Sequence, residues 1–173
     1  MIGVALALLA GGTSVFPDGN IAATKLPELF VAACLDGKAT LAPGDASAVG
    51  LNGLPRELST KLGKPSSAKV WRLSSDGRAY LYILDYEASR SANPRICGIA
   101  SDAMDYQAAA DVVEKRVTGA IYPRTTRSIQ WLDAKGGYNA IATTAGDFKV
   151  LQINWLSDQQ RRVLARGYQT ASH

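Results

Sequence analysis

Apolar residues change their spacing along this chain, and the spacing predicts alternating helices and strands. Leu26, Phe30 and Cys34 recur at every fourth position, as on one face of a helix, so we expect a helix from Thr24 to Gly37. Tyr106 and later apolar residues recur at helical spacing as well. The predicted helices are 24–37, 55–62, 105–118 and one that begins at Ser157 and ends at Gly167.

Alternating apolar positions predict two sets of three strands. The Asp76-Gly77 dipeptide between the first two strands is a strong hairpin signal. Each set begins near a tryptophan, Trp71 or Trp131, and turns on glycine, which suggests a duplicated unit of three strands and a helix. The predicted strands are 69–73, 79–86, 95–100, 128–132, 138–143 and 148–155.

This order of elements predicts an α+β fold, with an antiparallel sheet of about six strands in two three-stranded sets and helices packed on one face. The chain has 173 residues, of which 47% are hydrophobic and 20% charged, as expected for one globular domain over residues 24–173. The net charge of +4 is spread along the chain. Such a mild excess of basic residues gives no clear indication of nucleic-acid binding.

The N-terminal run Ile2–Ala10 is apolar and has the length of a signal-peptide core. It is too short to span a bilayer, which needs about 20 apolar residues. We therefore expect residues 1–23 to form a signal peptide or leader, with cleavage after Ser14 or Ala23. No Lys or Arg precedes the run, so a buried N-terminal helix or strand is the alternative.

Cys34 and Cys97 are the only cysteines, and His173 is the only histidine. In an oxidising compartment two cysteines pair most simply with each other. A bond across these 63 positions contributes about 4 kcal/mol in the chain-entropy model. A catalytic cysteine would need a histidine partner, and a metal site would need more soft ligands, so we expect neither a metal site nor a cofactor.

Catalytic motifs are few. Ser66 and Lys69 have the S-x-x-K spacing of serine acyltransferases, but they lie in a strand pattern and not at a helix start. Two pairs of carboxylates, Asp85 with Glu87 and Asp102 with Asp105, could perform general acid and base chemistry. Solvated strand ends and helix caps explain the same residues more simply.

Aromatic and basic residues supply the candidate binding groups. Tyr80, Tyr82 and Tyr86 share one strand face, which either lies beneath a helix or forms a flat aromatic surface for a ligand or partner. Two predicted loops carry arginines and could converge on an anion, or they are ordinary solvated loops. These arginines are Arg90 and Arg95 in one loop, and Arg124 and Arg127 in the other.

The segment Leu29–Gly37, with Cys97-Gly98-Ile99-Ala100 some sixty residues later, resembles uncharacterised small exported proteins of proteobacteria. In those proteins a phenylalanine precedes the first cysteine by four positions, as Phe30 does here. The resemblance covers the chain up to Ala100 and implies export and a disulfide.

Three functional hypotheses follow from these patterns. The leading one is a non-enzymatic periplasmic or secreted domain that binds a protein or an envelope component. The second is a small hydrolase or transferase that uses carboxylates or Ser66 with Lys69. The third is a cytosolic domain that binds anions or nucleic acid. The sequence leaves the partner and the oligomeric state open.

Overall fold

The structure is a computed structural model of the whole chain. It describes residues 21–37, 46–73, 78–87, 91–117, 120–121, 125, 127–133 and 135–163. The predicted leader therefore lies almost entirely outside the described residues. So do the Asp76-Gly77 turn, Arg90, Arg124 and the predicted helix end at Gly167.

The predicted α+β fold with an antiparallel sheet is confirmed. Within the described residues, the sheet has eight strands in the order β1-β2-β3-β4-β8-β7-β6-β5, and every neighbouring pair is antiparallel. The predicted two sets of three strands are β2–β4 and β6–β8. The strands are β1 (Ser47–Ala48), β2 (Ser67–Arg72), β3 (Ala79–Asp85), β4 (Arg95–Ser101), β5 (Ala120–Ile121), β6 (Ser128–Asp133), β7 (Tyr138–Ala145) and β8 (Phe148–Trp155).

Helices precede each set of strands. The first, α1 (Leu26–Phe30), has a proline in its first turn, where no backbone donor is needed, and continues as a π-helical turn over Val31–Leu35. The others are α2 (Arg56–Leu62) and α3 (Tyr106–Glu114). At the start of α3, the Asp105 carboxylate accepts a hydrogen bond of 2.7 Å from the Ala108 backbone N–H, which is standard N-terminal capping.

The strand pairing of the first half of the sheet, β1–β4, is repeated in the second half, β5–β8. In each half a tryptophan in the second strand pairs with the short edge strand on one side and with the third strand on the other. The matched registers are Ala48–Trp71–Leu81–Ile99 and Ile121–Trp131–Ala140–Ile153. The halves meet where Gly98 of β4 lies opposite Gln152 of β8. The strand pairing is therefore duplicated, with four strands in each half where the sequence predicted three.

The helices lie on both faces of the sheet. Helices α1 and α3 cover one face, where a core cluster includes Leu81, Ile99 and Trp131. Helix α2 lies on the opposite face and buries Leu58 and Leu62 against a second cluster. The prediction that the helices pack on one face therefore holds for α1 and α3 but is wrong for α2. It reaches the far face because the β1–β2 connection is long enough to carry it there.

The disulfide between Cys34 and Cys97 is present and joins α1's π-helical turn to β4. Both cysteines are buried, with 3% and 2% of their surface exposed, and their Cα atoms lie 5.5 Å apart. The bond fixes the first helix on the sheet near the junction of the two halves.

Candidate functional site

The tyrosine stripe of β3 lies beneath α2. Tyr80 and Tyr82 are buried at 6% and 0% exposure, and the following Tyr86 is half-buried. Burial beneath a helix was the first of the two arrangements considered from the sequence. Tyr80 and Tyr82 therefore do not form a flat, solvent-facing aromatic surface. They pack beneath α2 in the same apolar cluster.

Two of these tyrosines donate hydrogen bonds to fixed partners. The Tyr82 hydroxyl donates to Oε1 of Gln152 at 2.9 Å, and the Tyr86 hydroxyl donates to the backbone carbonyl of Leu62 at the end of α2. Burial raises the pKa of both phenols, and for Tyr82 the neighbouring Tyr86 adds to the effect. Both hydroxyls therefore remain protonated donors at neutral pH.

The two described candidate arginines lie at opposite ends of the sheet. Arg95 is the first residue of β4. Arg127 precedes Ser128, and Ser128 lies in the same cross-strand row as Ala100, which is near the other end of β4. Five residues of extended strand separate Arg95 from Ala100, a distance of about 17 Å. These two arginines therefore do not converge on one anion. Arg124 lies outside the described residues.

Arg95 lies beside a cleft, which we call the Trp155 cleft. Its volume is about 640 Å³, within the range of small-ligand sites. The Arg95 guanidinium carbon lies 5.9 Å from the centre of the Trp155 ring, its cross-strand neighbour, in cation–π contact. The cleft lies between residues 91–94 and the end of β8. Its lining includes Ser91, Pro94, Trp155, Asp158, Gln159 and Arg161.

Hydrogen bonds hold the chain around this cleft. The Ser157 backbone N–H donates to the Ala92 carbonyl at 3.0 Å, which ties the two walls together. Ser157 and Gln160 exchange side-chain and backbone hydrogen bonds at 3.2 and 3.3 Å, so the predicted capping box is present at the start of the helical segment 158–163. Arg161 donates to the Leu156 carbonyl at 3.3 Å. The cleft is therefore preformed.

The cross-strand row that contains Trp155 places two aromatic side chains between charged ones. Asp85 lies 3.7 Å from Arg95 in an exposed ion pair, and Tyr138 pairs with Trp155 on the other side. Burial raises the pKa of Tyr138 to about 12, with further contributions from the negative charge of Asp133 and a hydrogen bond to it. The row thus presents a cation, two aromatic rings and acidic groups at one end of the sheet.

Several of the residues considered for catalysis have structural partners. Ser66 donates its hydroxyl to the backbone carbonyl of Asp85 at 2.9 Å and precedes a strand. Asp102 lies 3.7 Å from Arg78 in an ion pair, and Asp105 caps α3. These contacts match the structural interpretation of the carboxylates.

Sequence reasoning included Arg95 among the candidate binding residues but missed Trp155. The sequence predicts the β8 strand that ends at Trp155, yet nothing in it shows which strand lies beside β8. The pairing of β4 with β8, which are some fifty residues apart, brings the arginine to the tryptophan. A strand-terminal tryptophan followed by a capping box is the signal that could have suggested an ordered surface here.

Among the described residues, no three potential metal ligands cluster together, and no helix is long and apolar enough to cross a membrane. No protein-family model, curated protein or solved structure matches this chain.

Proposed function

We propose that this protein is a periplasmic or secreted binding domain without catalytic activity, and that it binds a protein partner through the Trp155 cleft. The observation that carries the proposal is the Arg95 guanidinium over the half-buried Trp155 ring at a preformed cleft of about 640 Å³.

The composition of this site favours a protein partner. Tryptophan, tyrosine and arginine are the residues most enriched among those that dominate binding energy at protein interfaces. Trp155 and Tyr138 are both half-buried and adjacent, and the Arg95 side chain is 56% exposed. Because backbone hydrogen bonds already fix the cleft, binding would cost little conformational entropy.

The disulfide supports export, since such bonds persist mainly in oxidising compartments. Export has its own test, which is the intact mass of the protein from its host after alkylation under denaturing conditions without reductant. We expect a shortened chain that takes up no label. A full-length chain with two labelled thiols would contradict export.

Photo-crosslinking in the host tests the binding site. A photoreactive amino acid replaces Gln159, which is exposed and lines the cleft. In a second variant it replaces Gln107, an exposed residue on α3. We expect a discrete protein adduct from the first position and none from the second.

Matched substitutions then identify the contact. Arg95→Ala and Trp155→Ala should each abolish the Gln159 adduct. Arg127→Ala, which removes an exposed arginine at the opposite end of the sheet, should leave it unchanged. An adduct that survives both Arg95→Ala and Trp155→Ala, or no adduct at Gln159, would overturn the proposal.

A further inference from the structure

Helices α1 and α3 lie side by side and run in the same direction. Thr24, which precedes α1, lines a small cleft together with Asp105 and Ala108 at the start of α3. At the other end of the pair, Nη2 of Arg116 donates to the Asp36 carboxylate, 3.0 Å from Oδ1 and 2.9 Å from Oδ2. The two helices bury their inner sides against the core of the sheet, so their outer sides form one surface.

A groove of about 380 Å³ runs between the two helices on this surface, and we call it the helix groove. Val31 is buried in it, and Ala32 and Val112 are half-buried, so its centre is apolar. Exposed charged residues flank this centre. An apolar centre within a polar rim is the layout of a protein interface. The lining residues are Glu28, Val31, Ala32, Asp36, Val112, Lys115 and Arg116.

The charged residues of the helix groove are separated by sign. Glu28 and Asp36 lie on the α1 wall and are acidic, whereas Lys115 and Arg116 lie on the α3 wall and are basic. Asp36 and Arg116 pair with each other across one end of the groove. Glu28 forms an exposed ion pair of 3.3 Å with Lys25 of its own helical segment, and such pairs contribute little stability. Within the described part of the chain, Lys115 has no ion-pair or hydrogen-bond partner.

This separation of charge makes the helix groove complementary to itself. A twofold axis parallel to the groove places the α1 wall of one copy opposite the α3 wall of the other, so Glu28 of each copy faces Lys115 of the second copy. An axis perpendicular to the helices would instead place α1 against α1 and bring acidic walls together, which like-charge repulsion opposes. The charges therefore favour one arrangement of two copies.

We propose that the helix groove is a dimer interface, and that its occupant is the same groove of a second copy of this chain. Ala32 and Val112 of both copies form the apolar centre, and two Glu28–Lys115 pairs flank it. A helix from another protein would need acidic and basic rows with matching spacing, which a second copy has by symmetry. The helix groove shares no lining residue with the Trp155 cleft, so dimerisation and partner binding are separate properties.

Sedimentation velocity of the full chain at low ionic strength, over a range of concentrations, tests the proposal. We expect the mass to rise towards that of a dimer. Glu28→Lys and Lys115→Glu should each remain monomeric, because like charges then meet across the interface. An equal mixture of the two variants should recover the dimer, since at these positions one variant carries only basic and the other only acidic side chains. That recovery also shows that both variants are folded.

Two charge reversals outside the groove serve as controls. Glu57→Lys changes an exposed residue of α2, on the opposite side of the sheet, and Lys64→Glu changes an exposed residue that follows α2. Both should remain dimeric.

Three results would overturn the proposal. They are a monomer at every concentration, a dimer that either Glu28→Lys or Lys115→Glu retains when alone, and a mixture of these variants that stays monomeric. Photo-crosslinking at Gln159 reports on the Trp155 cleft alone, so either proposal can fail while the other holds.

Discussion

The two halves of this molecule share one pattern of strand pairing but differ in how much of the sheet is covered by helices. In the first half, both faces are covered, by α1 on one side and α2 on the other. In the second half, α3 covers the same face as α1, and the equivalent of α2 is missing from the described residues. The difference lies in one connection, because 18 residues join β1 to β2 while six join β5 to β6.

The longer connection thus changes which side chains the surrounding strands carry. Where α2 covers the sheet, Tyr80, Tyr82 and Leu84 form a core, and Tyr82 is fully buried. Where no described helix covers it, the equivalent positions are polar or partly exposed. The same strand pairing therefore carries an apolar core on this face in one half and mostly polar, half-buried or buried side chains in the other.

The largest effect is expected from the disulfide, which the first half has and the second lacks. Replacing Cys34 and Cys97 by alanine should lower the free energy of unfolding by about 4 kcal/mol, because the bond restricts a 63-residue loop of the unfolded chain. Urea unfolding measures the change. The unmodified protein with reductant should match the variant, and equal stability of oxidised protein and variant would contradict the role of the bond.

A smaller effect is expected from truncating a buried side chain of α2, the helix that covers the first half. Leu58 of α2 is 2% exposed, so Leu58→Ala should cost about 3 kcal/mol in unfolding free energy. The matched change in the second half, Ile141→Ala, removes a half-buried side chain and should cost about 1 kcal/mol. Equal losses in urea unfolding would mean that the two halves are covered alike.

The smallest effect concerns pH and Tyr138, a tyrosine of the second half whose equivalent position in the first half is not a tyrosine. Tyr138 occupies the position of Ala79, and its pKa is raised from 10.0 to about 12. Above pH 10 the unfolded chain loses this proton before the folded protein does, so stability falls as pH rises towards 12. Tyr138→Phe should therefore show a shallower decline in urea-unfolding free energy. An identical decline in both proteins would contradict the shift.

Most elements could be predicted from local pattern. The strand from Phe148 to Trp155 was predicted with the observed bounds, and α2 and α3 lie within their predicted ranges. The edge strands β1 and β5 were not predicted, because two residues are too short to show alternation. The candidate site was found only in part, since Arg95 was recognised but its partner Trp155 was not.

The sequence by itself determined the α+β class, the antiparallel strand sets and the cysteine pair, because hydrophobic periodicity, turn residues and residue counts are local or compositional properties. Only the tertiary structure decided that β4 pairs with β8, that α2 covers the tyrosines and that Arg95 lies on Trp155. Those contacts join distant parts of the chain. Strand order and the side of the sheet on which a helix packs are fixed by the burial of whole faces, which no short window of sequence contains.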